Sequence, residues 1–273
     1  PMTRKICLST ILNSREALGA TQVICTDKTG TLTQNRLAVT RLLSPFSLDD
    51  MTSAEERQEL LQTALFASDV HVTDQHFSGD PLDIAIAQKF TEETGGKQNP
   101  ATVLRHFAFD VDRKRAAGLG LVDDQQFFAV KGAWEVVRPM LTAIRASDNQ
   151  TLMVNDDSLM ASQAVMERLA KTGYRVVAVA GCRFAEPVAE GCTQEELEQD
   201  LVLYGFLGVE DPLRPEVPHA LERCHTAGIS VILITGDHPD TALSVATRCG
   251  IVEPNMPREM VMTGQELGDL NET

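Results

Sequence analysis

Two short stretches of this chain carry residue types whose spacing suits phosphoryl transfer. The first is Asp27-Lys28-Thr29-Gly30-Thr31-Leu32-Thr33-Gln34-Asn35. It follows Val23-Ile24-Cys25-Thr26, an apolar and β-branched run that predicts a buried strand with Asp27 at its carboxyl end. Open α/β sheets bind their ligands at that end. Thr29, Gly30, Thr31 and Thr33 offer backbone N–H groups and hydroxyls in a tight turn, the chemistry of a phosphate cradle. A carboxylate held against such a cradle is placed to attack phosphorus and form an acyl phosphate. An isolated Asp after a strand is ordinarily a turn former or helix cap, so the argument rests on the complete stretch.

The second stretch is Thr235-Gly236-Asp237, which follows Val231-Ile232-Leu233-Ile234, a run that predicts a buried parallel strand. Thr235 and Gly236 supply a hydroxyl and a backbone amide that can bind the transferred phosphoryl group opposite Asp27. Asp237 reads as the cap of the next helix, and His238 as a solvated turn residue. Between the two stretches, Lys131-Gly132-Ala133-Trp134 follows a strand predicted at Phe127–Val130. Lys131 provides a long cationic arm for a nucleotide or its phosphates, and Gly132 lets a ligand approach the backbone. The plain alternative is a surface lysine before a helix. Phe109, beside Arg113, Lys114 and Arg115, offers a flat apolar face among cations, suited to a purine phosphate or simply to the core.

The elements that must position these residues follow from pattern. A helix closed by Gly19 is predicted over Ile11–Gly19, and 36–41 as a crossing out of the first domain. Ser53-x-x-Glu56 opens a helix whose Leu61, Ala64, Leu65 and Ser68 share a face. Asp80-Pro81 opens another, carrying Leu82, Ile86 and Phe90 inward until Gly95-Gly96. Strands are predicted near 104–109, 116–122, 127–130, 175–180 and 203–209, with helices over 158–171 and 216–227. The middle of the chain, roughly 40–208, thus reads as α+β with a largely antiparallel sheet.

Composition sets the limits. The chain has 273 residues, 43% of them hydrophobic, enough for two cores, and no apolar run approaches the ~20 residues of a membrane helix. A net charge of −15 argues against a nucleic-acid partner, which demands clustered Lys and Arg. The cysteines Cys7, Cys25, Cys182, Cys192, Cys224 and Cys249 form no Cys-x-x-Cys pair, and are expected as buried, reduced thiols. His71 and His76, with Asp69 and Asp74, lack the spacing of a metal site.

The stretch around Asp27 resembles the phosphorylation signature of the P-type ATPases, ion pumps whose energising domain belongs to the haloacid-dehalogenase superfamily. Lys131-Gly132-Ala133 resembles that family's Lys-Gly-Ala nucleotide motif, with Trp134 where the family usually has Pro or Ser. Phe109 to Lys114 resembles its Phe-x-x-x-Arg-Lys segment, which implies that Phe109 stacks on adenine and Lys114 lies near the nucleotide. Gly79-Asp80-Pro81-Leu82-Asp83 resembles a helix start in which a family Glu faces the adenine amino group; Asp83, one methylene shorter, takes that place. Gly173-Tyr174-Arg175 implies that Arg175 reaches the phosphates, and Asp211-Pro212-Leu213-Arg214 resembles a hinge that makes Asp211 and Arg214 nucleotide-site candidates. Thr235-Gly236-Asp237-x-x-x-Thr241-Ala242 matches the segment that supplies the second phosphate contact.

Two phosphate-binding turns about two hundred residues apart share a site only if the middle region is an insertion with its own fold. The expected architecture is a discontinuous Rossmann-like parallel α/β domain of haloacid-dehalogenase type, 1–39 and 209–273, truncated, with an inserted α+β nucleotide-binding domain, 40–208. The resemblance implies ATP as ligand, transfer of its terminal phosphate to Asp27 with Lys28 and Thr29 holding it, and Mg²⁺ bound by Asp27 and the Thr29 carbonyl. It also implies a parent with membrane helices, an actuator domain and a transported cation, of which this chain would be an excised, soluble piece on the cytoplasmic face. The lysine and the Gly-Asp-Gly-x-Asn-Asp segment of the family are not in the sequence, so the piece is expected to bind ATP but to be catalytically crippled. The Lys-Gly-Ala form favours type II or III cation pumps. Two alternatives stay open: a soluble phosphatase of the same superfamily, disfavoured because Thr29 stands where phosphatases carry a second Asp, and a non-catalytic ATP-binding regulator.

Overall fold

The computed structural model describes residues 20–73, 76–96, 102–146, 150–189, 191–253 and 261–268. The helix expected over Ile11–Gly19, Cys7 and Asp74 lie outside them. The chain divides into two compact units: an inner unit, Arg36–Pro212, and a flanking unit that joins the chain up to Asn35 with the chain from Leu213. The crossings fall at 35/36 and 212/213, so the strands at 38–43 and 201–210, which boundaries at 39/40 and 208/209 would cut, stay whole.

The flanking unit opens with β1 (Val23–Asp27). The inner unit begins with β2 (Ala38–Leu43), where the sequence suggested a crossing, and α1 (Ala54–Phe66), whose cap Ser53 accepts the Glu56 N–H at 3.3 Å. A hairpin of β3 (Val70–Thr73) and β4 (His76–Gly79) leads to α2 (Pro81–Thr94). The Asp80 side chain caps α2 through the Leu82 N–H, Pro81 fills its first turn, and Gly95 at φ 64° ends it. There follow β5 (Thr102–Asp110), β6 (Arg115–Val122), β7 (Gln125–Gly132), α3 (Trp134–Val137), β8 (Leu141–Arg145) and β9 (Thr151–Met153). Then come α4 (Asp156–Lys171), β10 (Arg175–Arg183), α5 (Gln194–Leu197) and β11 (Leu201–Glu210). The chain returns to the flanking unit through α6 (Val217–Thr226), β12 (Ser230–Ile234), α7 (Pro239–Cys249) and α8 (Gly264–Gly268).

In the inner unit the strands run β5-β6-β7-β10-β11, each antiparallel to the next. The far edge of β11 is shared, with β8 parallel along Leu201–Leu203 and β2 antiparallel along Phe206–Glu210. The sheet is largely antiparallel, as expected, and the one parallel pair, β8 with β11, makes it mixed. Successive residues face opposite layers. Val177, Val179, Leu207 and Val209 pack on Leu60, Leu61 and Ala64 of α1 and Leu82, Ile86 and Phe90 of α2. Phe128, Val130, Ala178, Ala180 and Phe206 meet Trp134, Val137, Val165 and Leu169 on the other side.

In the flanking unit β1 and β12 pair in parallel, from Val23↔Ser230 to Asp27↔Ile234. Val231 and Leu233 pack with Leu32, Val217, Leu221 and Cys249 under α6 and α7. The other face is open: Val23, Ile232 and Ile234 are 51%, 49% and 58% exposed. Both strands were expected to be buried; among the described residues, helices cover only one side of the pair. Cys25, also expected to be buried, lies on the open face and is exposed. Among the described residues no cluster of His, Cys, Asp or Glu fits a metal ion, and no helix is long and apolar enough to cross a membrane.

Two predictions follow from this packing. Burial pushes the Cys182 thiol up to about 12, so alkylation of the folded chain near pH 8, read site by site by mass spectrometry, is expected to modify Cys25 well before Cys182. Equal rates would contradict the assigned burial. On α2, Glu93 meets Arg57 at 2.8 Å and Lys89 at 3.1 Å. Burial opposes ionisation of Glu93, but the hydrogen bonds from Arg57 and Lys89 outweigh it and hold the carboxyl below its usual range. A depressed folded pKa gives stability that is present above the unfolded value of 4.5 and is lost as pH falls through the folded one. Thermal melts over roughly pH 3 to 6 are expected to fall less steeply for Glu93→Gln than for the parent chain; identical slopes would remove Glu93 from the account.

Candidate functional site

In the flanking unit, Asp27 ends β1 with its carboxylate exposed, and its Oδ1 accepts the Lys28 N–H at 2.7 Å. The chain then turns sharply. Thr29 (φ −71°, ψ 124°) and Gly30 (φ 75°, ψ −13°) have type II turn geometry, which demands a glycine-like residue at the second central position. Thr33 closes the turn: its N–H and hydroxyl donate to the Lys28 carbonyl at 3.1 and 3.2 Å, and its Oγ1 accepts the Gly30 N–H at 3.2 Å. The Gly30 amide and Thr33 hydroxyl, expected in a phosphate cradle, are thus engaged within the turn. Thr29 and Thr31 are exposed.

Parallel pairing sets Asp27 beside Ile234, so Thr235, Gly236 and Asp237 emerge next to the Asp27 turn. The Lys28 ammonium is ion-paired with the Asp237 carboxylate, and the Asp237 N–H donates to Thr235 Oγ1 at 3.2 Å. Asp237 therefore does not cap α7 as expected. His238 does, its Nδ1 accepting the Asp240 N–H at 3.3 Å.

Arg214, a nucleotide-site candidate, lies against the Asp27 turn. Its guanidinium donates to the Gly30 carbonyl at 2.9 Å, its backbone N–H donates to the Leu32 carbonyl at 2.9 Å, and Leu213 bridges Thr33. It belongs to the flanking unit and braces the Asp27 turn; nothing local in the sequence signals a contact across so long a separation. Asp211 is in the inner unit, its Oδ1 accepting the Arg36 N–H at 3.2 Å.

In the inner unit the register gathers most nucleotide-site candidates at one end of the sheet. Asp110 pairs with Arg115, Arg115 with Gly132, Gly132 with Ala178, and Arg175 with Val209. Phe109, Lys114, Gly132 and Arg175 share that end. Phe109 is 51% exposed, not core, and Arg175 is exposed. The β5–β6 turn is held by Asp110, whose Oδ1 accepts the N–H groups of Asp112 and Arg113 at 2.8 and 2.9 Å. The Arg113 amide is the main reason its carboxyl lies below the usual range. Lys114 sits at φ 51° with its ammonium 3.5 Å from Glu135. Gly132 is required by a neighbouring strand more than by a ligand, since a Cβ there would lie 2.7 Å from the Lys114 carbonyl oxygen.

Lys131 differs most from a surface cation. It is 3% exposed, ion-paired with Asp83, and donates to Ser68 Oγ at 2.5 Å. Its place in β7 turns it, like Ala129, toward the α1–α2 layer. Burial pulls its pKa below the usual lysine value, against the opposing charge of Asp83. Asp83 Oδ2 accepts the Asp69 N–H at 2.9 Å. Ser68 had been read only as a helix-face residue. Trp134 is buried, edge-on to Phe206 with centroids 5.5 Å apart.

A family model described as "P-type ATPase, cytoplasmic domain N" matches residues 50–216. The chain belongs to the P-type ATPases. Among curated relatives it is 30% identical over 99% of its length to a calcium-transporting ATPase 1 of Lactococcus lactis, covering 31% of that protein. It is 29% identical over 94% of its length to one of Bacillus cereus, covering 29%. A probable cation-transporting P-type ATPase of Mycoplasma pneumoniae is 32% identical over 92% of the chain, of which the chain covers 27%. The chain thus spans about three tenths of these P-type ATPases. The domain N match covers most of the inner unit, which holds Asp83, Phe109, Lys114, Lys131 and Arg175.

If Arg214 braces the turn, Arg214→Ala is expected to speed amide exchange at Thr33 about five- to tenfold while leaving inner-unit amides unchanged. Hydrogen exchange by NMR reads both. Unchanged protection at Thr33 would show that the turn holds itself.

Proposed function

We propose that this chain is the nucleotide-binding and phosphoryl-accepting part of an ATP-driven cation pump, on the cytoplasmic face of a membrane. The inner unit binds ATP, with Phe109 stacked on the base and Lys114 and Arg175 near the phosphates. In the intact pump, an Asp27 carboxylate oxygen attacks the terminal phosphorus. The bond from that phosphorus to the bridging oxygen of ADP breaks, leaving an aspartyl phosphate and ADP. The observation that carries this reading is the β1–β12 register, which sets the Asp27 turn beside Thr235-Gly236-Asp237.

The flanking residues suit the incoming group. Lys28 offers an ammonium, Thr29 and Thr235 hydroxyls, and Gly236 a backbone amide, all donors toward phosphate oxygens. Asp27 and the Thr29 carbonyl are hard oxygen donors of the kind Mg²⁺ prefers, and Asp27 is exposed enough to accept one. Bound there, Mg²⁺ would neutralise phosphate charge. Thr29, in place of a second carboxylate, provides no general base, which suits a phosphoenzyme that persists long enough to drive transport.

The test is calorimetric titration of the folded chain with ATP. Phe109→Ala removes an exposed ring, so folding should be little affected while ATP affinity falls about tenfold or more, the worth of one stacked base. Asp27→Asn should leave affinity for ATP unchanged. A folded chain that binds no ATP, or binds it equally well without the Phe109 ring, would sink this assignment.

A further inference from the structure

We propose that α5 positions the turn that meets the nucleotide: Glu195, and Glu198 at the helix's carboxyl end, clasp the two arginines on either side of Lys114 and so fix Phe109 and Lys114 in place. This rests on the nucleotide-binding reading above. Phe109 lies near the end of β5, which forms one edge of the sheet and has β6 as its neighbouring strand. The β5–β6 turn is therefore joined to the sheet from one side, and the half-exposed Phe109 ring has little packing of its own to hold it. α5 follows β10 in the chain and reaches this turn with two carboxylates. The Glu198 carboxylate accepts from Arg115 Nε and Nη2 at 2.7 and 2.6 Å, and only 13% of the Arg115 and 4% of the Glu198 side chain is exposed. Nearer the surface, Arg113 meets Glu195 at 2.5 Å.

The clasp is anchored on both sides. Leu197 is buried with Val165 and Leu169 of α4, Gln194 Nε2 donates to Glu198 Oε1 at 2.6 Å, and Thr193 with Glu196 forms a capping box at the helix start. Across the sheet, Arg115 stands opposite Gly132, where a Cβ would come within 2.7 Å of the Arg115 Cβ. A side chain at 132 would thus displace the arginine that Glu198 holds. A bidentate guanidinium–carboxylate pair fixes direction as well as distance, and one shielded from water does not readily change partners. Of the three consecutive cations, both arginines are engaged by α5. Lys114 has only Glu135, 3.5 Å away and screened by water, as its ion-pair partner among the described residues. Glu198 acts through Arg115 and not by touching the ligand, which makes it a positioning residue.

The whole chain is titrated with ATP by calorimetry as the parent, as Glu198→Gln, as Phe109→Ala and as the double variant. By charge alone, removing a carboxylate beside a site for a polyanion tightens binding. Positioning predicts the opposite sign. Glu198→Gln is expected to weaken ATP binding about fivefold, part of the worth of one stacked base, and to change it less than about twofold once Phe109 is Ala. Affinity that is unchanged or raised by Glu198→Gln, or lowered equally in both backgrounds, overturns the proposal while the nucleotide reading stands. If the folded parent binds no ATP, the nucleotide reading itself falls and this proposal with it. If Glu198→Gln does not fold, Glu195→Gln decides, since the Arg113 and Glu195 side chains are 42% and 53% exposed and folding does not depend on them. A loss of about twofold is then expected, and no loss overturns the proposal.

Discussion

Parallel strands cannot be joined by a tight turn, because the chain must travel back to the end from which it started. β1 and β12 are paired in parallel, and the whole inner unit is the connection between them. This one pairing dictates much else. The inner unit has to begin and end on neighbouring strands, and it does: β2 and β11 are antiparallel partners with Ala38 opposite Glu210, and Arg36 bonds Asp211 beside them. The flanking unit closes its own side of the crossing with Leu213 against Thr33 and Arg214 on the Asp27 turn. The same pairing brings two loops that are remote in sequence to the carboxyl end of one sheet, the end at which open α/β sheets bind their ligands.

What was legible in the sequence was what local chemistry decides. Ser53, Asp80-Pro81 and Gly95 mark helix ends because capping and left-handed geometry involve only nearby residues. Asp27 at a strand end was readable from the apolar run before it. Residues whose fate depends on register or long-range contact were not readable. Lys131 reads from sequence as an arm for a nucleotide, or plainly as a surface lysine, and no local signal tells which face of β7 it occupies or that Asp83 waits there. Arg214 looked like part of a hinge, yet its partner is the carbonyl of Gly30. The apolar runs of β1 and β12 promised burial on two faces, since composition reports what a strand can bury but not what covers it.

Two lysines that the sequence offered to phosphate are both paired with aspartates, and their settings lead to opposite behaviour. The Lys28 and Asp237 side chains keep 16% and 32% of their surface exposed; those of Lys131 and Asp83 keep 3% and 10%. A pair in contact with water contributes ~0–1 kcal/mol, because solvent screens the attraction and replaces it when the pair opens. The Lys28–Asp237 pair is the more open of the two, although the Asp237 oxygen that meets Lys28 is itself buried. Separating a buried pair costs about 3–5 kcal/mol, because the abandoned charge has no solvent to turn to. Lys131 is held in place by that asymmetry. The more open pair lies beside the Asp27 turn, and the buried one joins β7 to the first turn of α2. The difference between the two lysines is one of exposure, which no motif encodes.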